Sequence, residues 1–158
     1  GVNLPLLTLY SYSDIEIDFV IENDYKLVLD RALYNRFKID LNFETVYLDY
    51  DDTIIINDRV NLKAISFIYK CINEKKKIVI ISKHNGDLFS KMKYYRINQL
   101  FDEIIQISPD ESKSDYISDR NSIFIDDSFR ERLEVFKKNK IPVFDLDALD
   151  EVLLGQNN

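Results

Sequence analysis

Val46-Tyr47-Leu48-Asp49-Tyr50-Asp51-Asp52-Thr53 is the stretch whose reading decides the fold of this chain. Val46, Tyr47 and Leu48 are strand formers in a short apolar run, which predicts a buried strand. Asp49, Asp51 and Asp52 arrive where that strand should end. Three acids so close together repel one another, a cost that a bound cation or a reaction would put to use. Taken alone, the stretch reads more plainly as a strand running into an Asp-rich turn. The segments around it reverse that preference.

Downstream, apolar runs and helical patterns alternate. Thr53 to Ile56 is β-branched and reads as a short extended flap, with Asp58 as an N-cap. Leu62, Ile65, Ile68, Tyr69 and Ile72 recur at helical spacing, and Lys75-Lys76-Lys77 is placed at that helix's C-terminal end. Ile78-Val79-Ile80-Ile81 has the continuous apolar character of a central parallel strand, followed by the loop Ser82-Lys83-His84-Asn85-Gly86. Asp87 is placed to cap a helix carrying Leu88, Phe89, Met92 and Tyr95. Ile104 to Ile107 is a third strand and Pro109 to Ile117 a loop or short helix. Ser122-Ile123-Phe124-Ile125 is a fourth strand, ending in Asp126-Asp127. Phe129 to Phe136 is helical with Arg130, Arg132, Lys137 and Lys138 exposed; Asp127 or Ser128 would cap it. Pro142-Val143-Phe144 is a fifth short strand and Leu149 to Leu154 a last helix.

This alternation predicts an α/β domain: a three-layer, Rossmann-like parallel sheet with helices on both faces. Ligands in such sheets bind at the carboxyl ends of the strands. Asp49, Asp51, Ser82, Asp126 and Asp127 all fall at such ends, so residues distant in sequence converge on one edge.

Residues 1–41 read as an N-terminal extension and residues 42–158 as the regular domain. Asn3 would cap a short helix with Pro5 in its first turn. Ile15 to Ile21 alternates at period 2, as a strand does, and Tyr25 to Ile39 suits a strand passing into a helix. The chain's 158 residues suffice for one domain with a substantial core. The formal net charge of −7 argues against nucleic acid or an anionic membrane as a partner. No stretch approaches the ~20 apolar residues of a membrane span, and no signal-peptide pattern opens the chain, so a cytoplasmic location is expected. The single cysteine, Cys71, excludes an intrachain disulfide and falls inside a helical pattern as a core thiol. The start at Gly1 fits a tag remnant or a piece of a longer polypeptide.

Four motifs in order resemble those of the haloacid dehalogenase (HAD) superfamily, phosphatase branch, over Phe43 to about Leu154. Asp49-Tyr50-Asp51-Asp52-Thr53 is similar to the first, Asp-x-Asp-x-Thr after an apolar strand. Ser82 corresponds to the second, Lys113 to the third and Asp126-Asp127 to the fourth. The resemblance implies a Mg2+-dependent phosphohydrolase acting on a phosphorylated substrate. Asp49 would be the nucleophile that forms an aspartyl-phosphate. Asp51 would be the general acid and then the base. Ser82 would bind a phosphoryl oxygen, and Lys113 would neutralise charge and hold Asp49. The implied Mg2+ ligands are the carboxylates of Asp49 and Asp126 and the backbone carbonyl of Asp51, with Asp127 as a further ligand through water or as an orienting group.

Lys83, beside Ser82, rivals Lys113 for the cationic role, and Lys83 and His84 are candidate substrate contacts. Many phosphatases of the family carry Gly where Asp52 stands; Asp tolerates turn conformations better than most residues. The 33 positions from Asp49 to Ser82 and the 31 from Ser82 to Lys113 leave no room for the cap domains that many relatives insert. An open site is therefore expected, suited to a bulky substrate or to closure by another domain or a homo-oligomeric subunit. Gly1 to Pro5 and Arg31-Ala32-Leu33-Tyr34-Asn35-Arg36 resemble the end of an ATP-grasp ligase of the carbamoyl-phosphate-synthase-like kind. That resemblance implies an upstream ligase domain and frames the main alternative, a structural or regulatory, non-catalytic domain beside a ligase. A receiver-like phosphoacceptor is a second alternative; it lacks an acid two residues after its nucleophile.

Overall fold

The computed structural model describes residues 12–13, 26–31 and 35–149. The expected helix near Asn3 and strand at Ile15 to Ile21 lie outside these residues, as does most of the expected helix from Leu149 onward. Strands β1 (Lys26–Arg31) and β2 (Asn35–Asp40) form an antiparallel hairpin, with Lys26 opposite Asp40 and Arg31 opposite Asn35. This corrects the strand-to-helix expectation for Tyr25 to Ile39. Leu27-Val28-Leu29 in one arm is a short apolar run, and in the other Phe37 and Ile39 alternate with Arg36, Lys38 and Asp40 at period 2, which serves two strands better than one helix.

The domain's centre is β3 (Thr45–Leu48), buried along its whole length. It is followed by a small antiparallel flap, β4 (Ile55–Ile56) and β5 (Arg59–Val60), then α1 (Leu62–Asn73), β6 (Lys77–Ser82) and α2 (Leu88–Tyr94). Next come β7 (Glu103–Gln106), a 3-10 turn at Lys113–Tyr116, β8 (Ser122–Ile125), α3 (Phe129–Asn139) and β9 (Val143–Phe144). A second 3-10 turn covers Leu146–Ala148. Five strands form one parallel sheet in the order β7-β6-β3-β8-β9.

Alternate residues of each strand face opposite layers, as the pleat requires. Val46, Leu48, Ile78, Ile80, Ile123 and Ile125 pack with α1 and α2 through Phe67, Ile68, Cys71, Leu88 and Met92. Tyr47, Val79, Ile81 and Phe124 pack on the other face with Val135 of α3. The three layers expected from the sequence are therefore present, and Cys71 is a buried core thiol. No helix among the described residues is long and apolar enough to cross a membrane.

Helix ends differ from expectation at two places. Asp58 does not cap α1: it sits in the flap turn at φ 55, beside Asn57 at φ 50. Asn61 caps the helix, its side chain accepting from the Lys63 N–H. The helix closes at Glu74, and Lys75 turns into the left-handed region at φ 58. Only Lys70 lies in the last turn, and Lys77 already belongs to β6. The buried face of α1 is Ala64, Phe67, Ile68 and Cys71, whereas Leu62, Tyr69 and Ile72 are exposed.

Candidate active site

The chain leaves β3 for β6 and β7 on one side, then returns to β8 and β9 on the other. The strand order therefore reverses between β3 and β8, and the carboxyl ends of those two strands border the crevice that such a reversal opens. Asp49 follows β3 and Asp126 follows β8. The Asp49 N–H donates to the Ile125 carbonyl at 3.0 Å, which carries the ladder one residue further and aligns the two acids.

Lys113 joins them. Its Nζ donates to Asp49 Oδ1 at 2.6 Å and to Asp126 Oδ2 at 2.7 Å. All three residues are buried. Lys113 opens a 3-10 turn whose N-cap Ser112 accepts from the Ser114 N–H and donates to Glu134 of α3, fixing the turn against that helix. Asp127, exposed, completes a group in which one oxygen each of Asp49, Asp126 and Asp127 lie within 4.8 Å of one another. Three carboxyl groups, two of them on one ammonium, would when ionised leave an excess of negative charge. Hard oxygen donors so grouped suit a hard divalent cation.

Burial dominates the protonation of this group. It pushes Asp49 up to about 7, against the opposing pull of Lys113 and with help from Asp126. Asp126 is also raised by burial, again against Lys113. Burial works against the Lys113 charge, but the two carboxylates outweigh it and its pKa rises. The lysine is therefore held as an ammonium between two carboxyl groups that resist ionisation.

Asp51 stands apart from this group. Its carboxylate meets the His84 Nδ1 at 2.8 Å and 3.0 Å, and its side chain is about half exposed. The two residues after it build the tight turn: Asp52 adopts φ 55 and its N–H donates to the Ile55 carbonyl at 2.8 Å. A left-handed residue here accounts for glycine in this position of the resembling family, and Asp accepts the conformation at modest cost. Asn61, the cap of α1, also donates to the Thr53 carbonyl and ties the turn to that helix.

Ser82 is the last residue of β6, not the first of a loop, and is fully buried. Its Oγ accepts the His84 N–H at 3.1 Å, which leaves its own proton to donate. Lys83 does not join the acids: its Nζ pairs with Glu131 Oε1 of α3 at 2.8 Å. Of the two lysines considered for the cationic role, Lys113 is the one that contacts the acids. Among the candidate residues, the structure thus gathers Asp49, Lys113, Asp126 and Asp127 in one group and Asp51, Ser82 and His84 in an adjoining one.

Two further residues support the site. Arg132, expected to be exposed, is mostly covered: its guanidinium donates to the carbonyl of Asp126 and, at 2.8 Å, to that of Asp127, and pairs with Asp145 at 2.7 Å. Ser128 caps α3, and its N–H donates to Asp126 Oδ1 at 2.7 Å. Arg132 lies four residues after that cap, and helical side chains lean toward the N-terminus, so its reach back to the Asp126-Asp127 peptides was open to inference from spacing. Gln106, at the end of β7, donates to the carbonyls of His84 (2.8 Å) and Gly86 (2.6 Å) and pins the loop after β6. Nothing in its local sequence marks it.

No protein-family model matches the chain, and no curated protein sequence matches it significantly. Solved structures do resemble it. A HAD-superfamily hydrolase from Ehrlichia chaffeensis is 14% identical, with a TM-score of 0.57 over 74% of this chain and 99% of its own. An uncharacterized protein from Corynebacterium glutamicum is 14% identical, with a TM-score of 0.55 over 71% of this chain and 90% of its own. The N-terminal part of a Bacteroides fragilis protein, containing a phosphatase domain and complexed with Mg, is 18% identical, with a TM-score of 0.52 over 75% of this chain and 41% of its own. Between β3 and the Lys113 turn the described residues hold only the flap, α1, β6, α2 and β7, with no cap inserted. The chain therefore has a HAD-like fold, a five-stranded parallel sheet with helices on both faces and, among the described residues, no cap over its carboxyl edge.

Proposed function

We propose that this chain is a Mg2+-dependent phosphohydrolase working through an aspartyl-phosphate on Asp49. The observation that carries this is the buried Lys113 ammonium bridging Asp49 and Asp126, with Asp127 alongside. A structural ion pair needs one carboxylate; a second buried one and a third at the rim make sense where a divalent cation completes the charge balance.

Asp49, Asp126 and Asp127 supply carboxylate oxygens for the ion, and the Asp51 carbonyl is the fourth donor implied by the family resemblance. Bound there, Mg2+ would neutralise the charge of an incoming phosphoryl group. An Asp49 oxygen attacks phosphorus as the ester P–O bond breaks, and Asp51 gives its proton to the departing alkoxide. Asp51 then takes a proton from water whose oxygen attacks the same phosphorus. The aspartyl P–O bond breaks, inorganic phosphate leaves and Asp49 returns as a carboxylate. Lys113 keeps Asp49 oriented and offsets charge on the phosphoryl oxygens. The Ser82 hydroxyl donates to one of those oxygens. The uncapped edge admits phosphate esters with bulky leaving groups.

Phosphate release from 4-nitrophenyl phosphate tests this directly. Turnover should require Mg2+, stop with EDTA and fall by at least 10³-fold in Asp49→Asn, on the order expected when a nucleophile is removed. Absence of Mg2+-dependent turnover in the wild-type protein across a panel of phosphate esters would refute the catalytic reading and favour a non-catalytic domain. A stable aspartyl-phosphate without turnover would favour a receiver-like phosphoacceptor.

A further inference from the structure

His84 is the chain's single histidine, and the sequence alone offered it as a substrate contact. The structure gives it a different employment. Its ring is almost covered, and Nδ1 meets both oxygens of the Asp51 carboxylate, at 2.8 Å and 3.0 Å. One further contact holds the ring and two hold the backbone beneath it. The imidazole and the Tyr50 ring meet in a T-shaped contact, 5.5 Å between centroids and 80° between planes. The His84 backbone N–H is bound by Ser82 Oγ and its carbonyl by Gln106. Tyr50 is fully buried, so the wall behind the imidazole is rigid. With its backbone fixed on both sides and Nδ1 on the Asp51 carboxylate, the imidazole is set to orient that acid.

We propose that His84 is a positioning residue for Asp51, holding the acid/base carboxyl away from the Asp49-Asp126-Asp127 group and aimed at the leaving-group oxygen. This rests on the role given to Asp51 above. Asp51 is two residues from Asp49 and half exposed, so without a partner its carboxylate is free to swing toward the lysine and any cation held there. A carboxylate captured by a cation cannot carry the proton that the leaving group needs. An Nδ1–H donated to one Asp51 oxygen leaves the other oxygen to carry and deliver that proton. His84 touches no reacting atom. It acts through the orientation of Asp51, as outer partners of functional groups do.

Orientation of an acid has a kinetic signature that loop packing lacks. Protonation matters most for a poor leaving group and least for a good one. The test compares kcat/KM for phenyl phosphate and 4-nitrophenyl phosphate in wild type, His84→Ala, His84→Asn and His84→Gln, with Mg2+ present. kcat/KM covers steps up to loss of the alcohol, so it isolates the acid role from the later activation of water. Loss of Asp51 alignment should lower kcat/KM for phenyl phosphate by roughly 10- to 100-fold in His84→Ala, a fraction of what general acids contribute. The value for 4-nitrophenyl phosphate should fall within about threefold.

His84→Asn places an amide N–H where Nδ1 stood and should recover most of the loss. His84→Gln, whose amide reaches the Nε2 position, should not. An equal fall for both esters in His84→Ala, or no advantage of Asn over Gln, overturns the inference while leaving the phosphohydrolase itself intact. If His84→Ala fails to fold, the Asn and Gln variants carry the same comparison. A wild-type protein without turnover of either ester overturns the parent reading and this one together.

Discussion

Lys113→Met is the most revealing substitution in this molecule, because it removes one cation from between two buried carboxyls. The side-chain volume is nearly kept, so packing changes little and the loss is electrostatic. Asp49, at about 7, already holds much of a proton at neutral pH, so the new demand falls on Asp126. Protonating a carboxyl whose ordinary pKa is 3.8 costs about 1.4 kcal/mol per pH unit above that value, so roughly 4 kcal/mol at pH 7 is the upper bound on the loss, since burial already raises Asp126 in the wild type. Breaking a buried ion pair by deleting one partner costs about 3–5 kcal/mol in general, which agrees. For a chain of this size the melting temperature should fall by up to roughly 8–16 °C at pH 7.5. The pH dependence gives the sharper check. In the variant the folded pKa of Asp126 lies further above its unfolded value. Its contribution to stability is therefore complete below about 3.8 and is lost as pH rises through the folded value. The deficit against wild type must be largest at pH 7.5 and shrink toward pH 5. Thermal melts followed by far-UV circular dichroism at three pH values measure it. A deficit of equal size at pH 5 and 7.5, or none at 7.5, would show that Lys113 does not hold these carboxylates as described.

Mg2+ binding should tighten with pH. Cations bind the ionised form of Asp49, so the Kd should rise about tenfold per unit as pH drops below about 7 and level off above it; calorimetric titrations at pH 5.5, 6.5 and 7.5 returning one Kd would contradict this. Arg132→Ala, which frees the Asp126 and Asp127 peptides, should weaken Mg2+ by roughly 10- to 100-fold, whereas exposed Arg130→Ala should leave the Kd unchanged. Asp52→Gly should keep wild-type stability to within about 1 kcal/mol, since glycine takes φ 55 freely, while Asp52→Ile should lose about 1–2 kcal/mol in urea melts.

The parallel sheet was legible because strands buried on both faces must be apolar without interruption, as Val46 to Leu48, Ile78 to Ile81 and Ser122 to Ile125 nearly are. Asp49 and Asp126 were legible for the same reason: each is the first acid after such a run. What sequence could not supply was the direction of long side chains. Lys83 and Lys113 looked like competitors, and only the fold turns Lys83 onto Glu131 and carries Lys113 across 64 residues to Asp49. Arg132 was taken for a solvated helix face because its neighbours Arg130, Lys137 and Lys138 are one. Helix ends went astray where a left-handed turn was made without glycine, at Asp58 and Lys75, since the usual signal was missing.

The division among the acids of the opening stretch follows from where the chain bends. Asp49 still lies on the β3 ladder, bound by its N–H to Ile125, so its side chain is committed to the interior and to Lys113. One residue later Tyr50 is buried, its carbonyl taking the N–H groups of Ile54 and Ile55, and the strand turns back on itself. Asp51 emerges from that turn into reach of the β6 loop, where His84 waits. Asp52 occupies the left-handed position that makes the turn possible. Four consecutive residues thus need four different backbone environments. A second carboxylate two positions after the first is useful because the turn carries it out of the buried position where desolvation raises the Asp49 pKa. Moving Asp51 by one residue in either direction would place an acid either at Tyr50, which is fully buried against the His84 ring, or on the exposed shoulder at Asp52. The spacing Asp-x-Asp lets one acid stay on the strand while the next leaves it, which is what the proposed division into nucleophile and separate proton carrier would require.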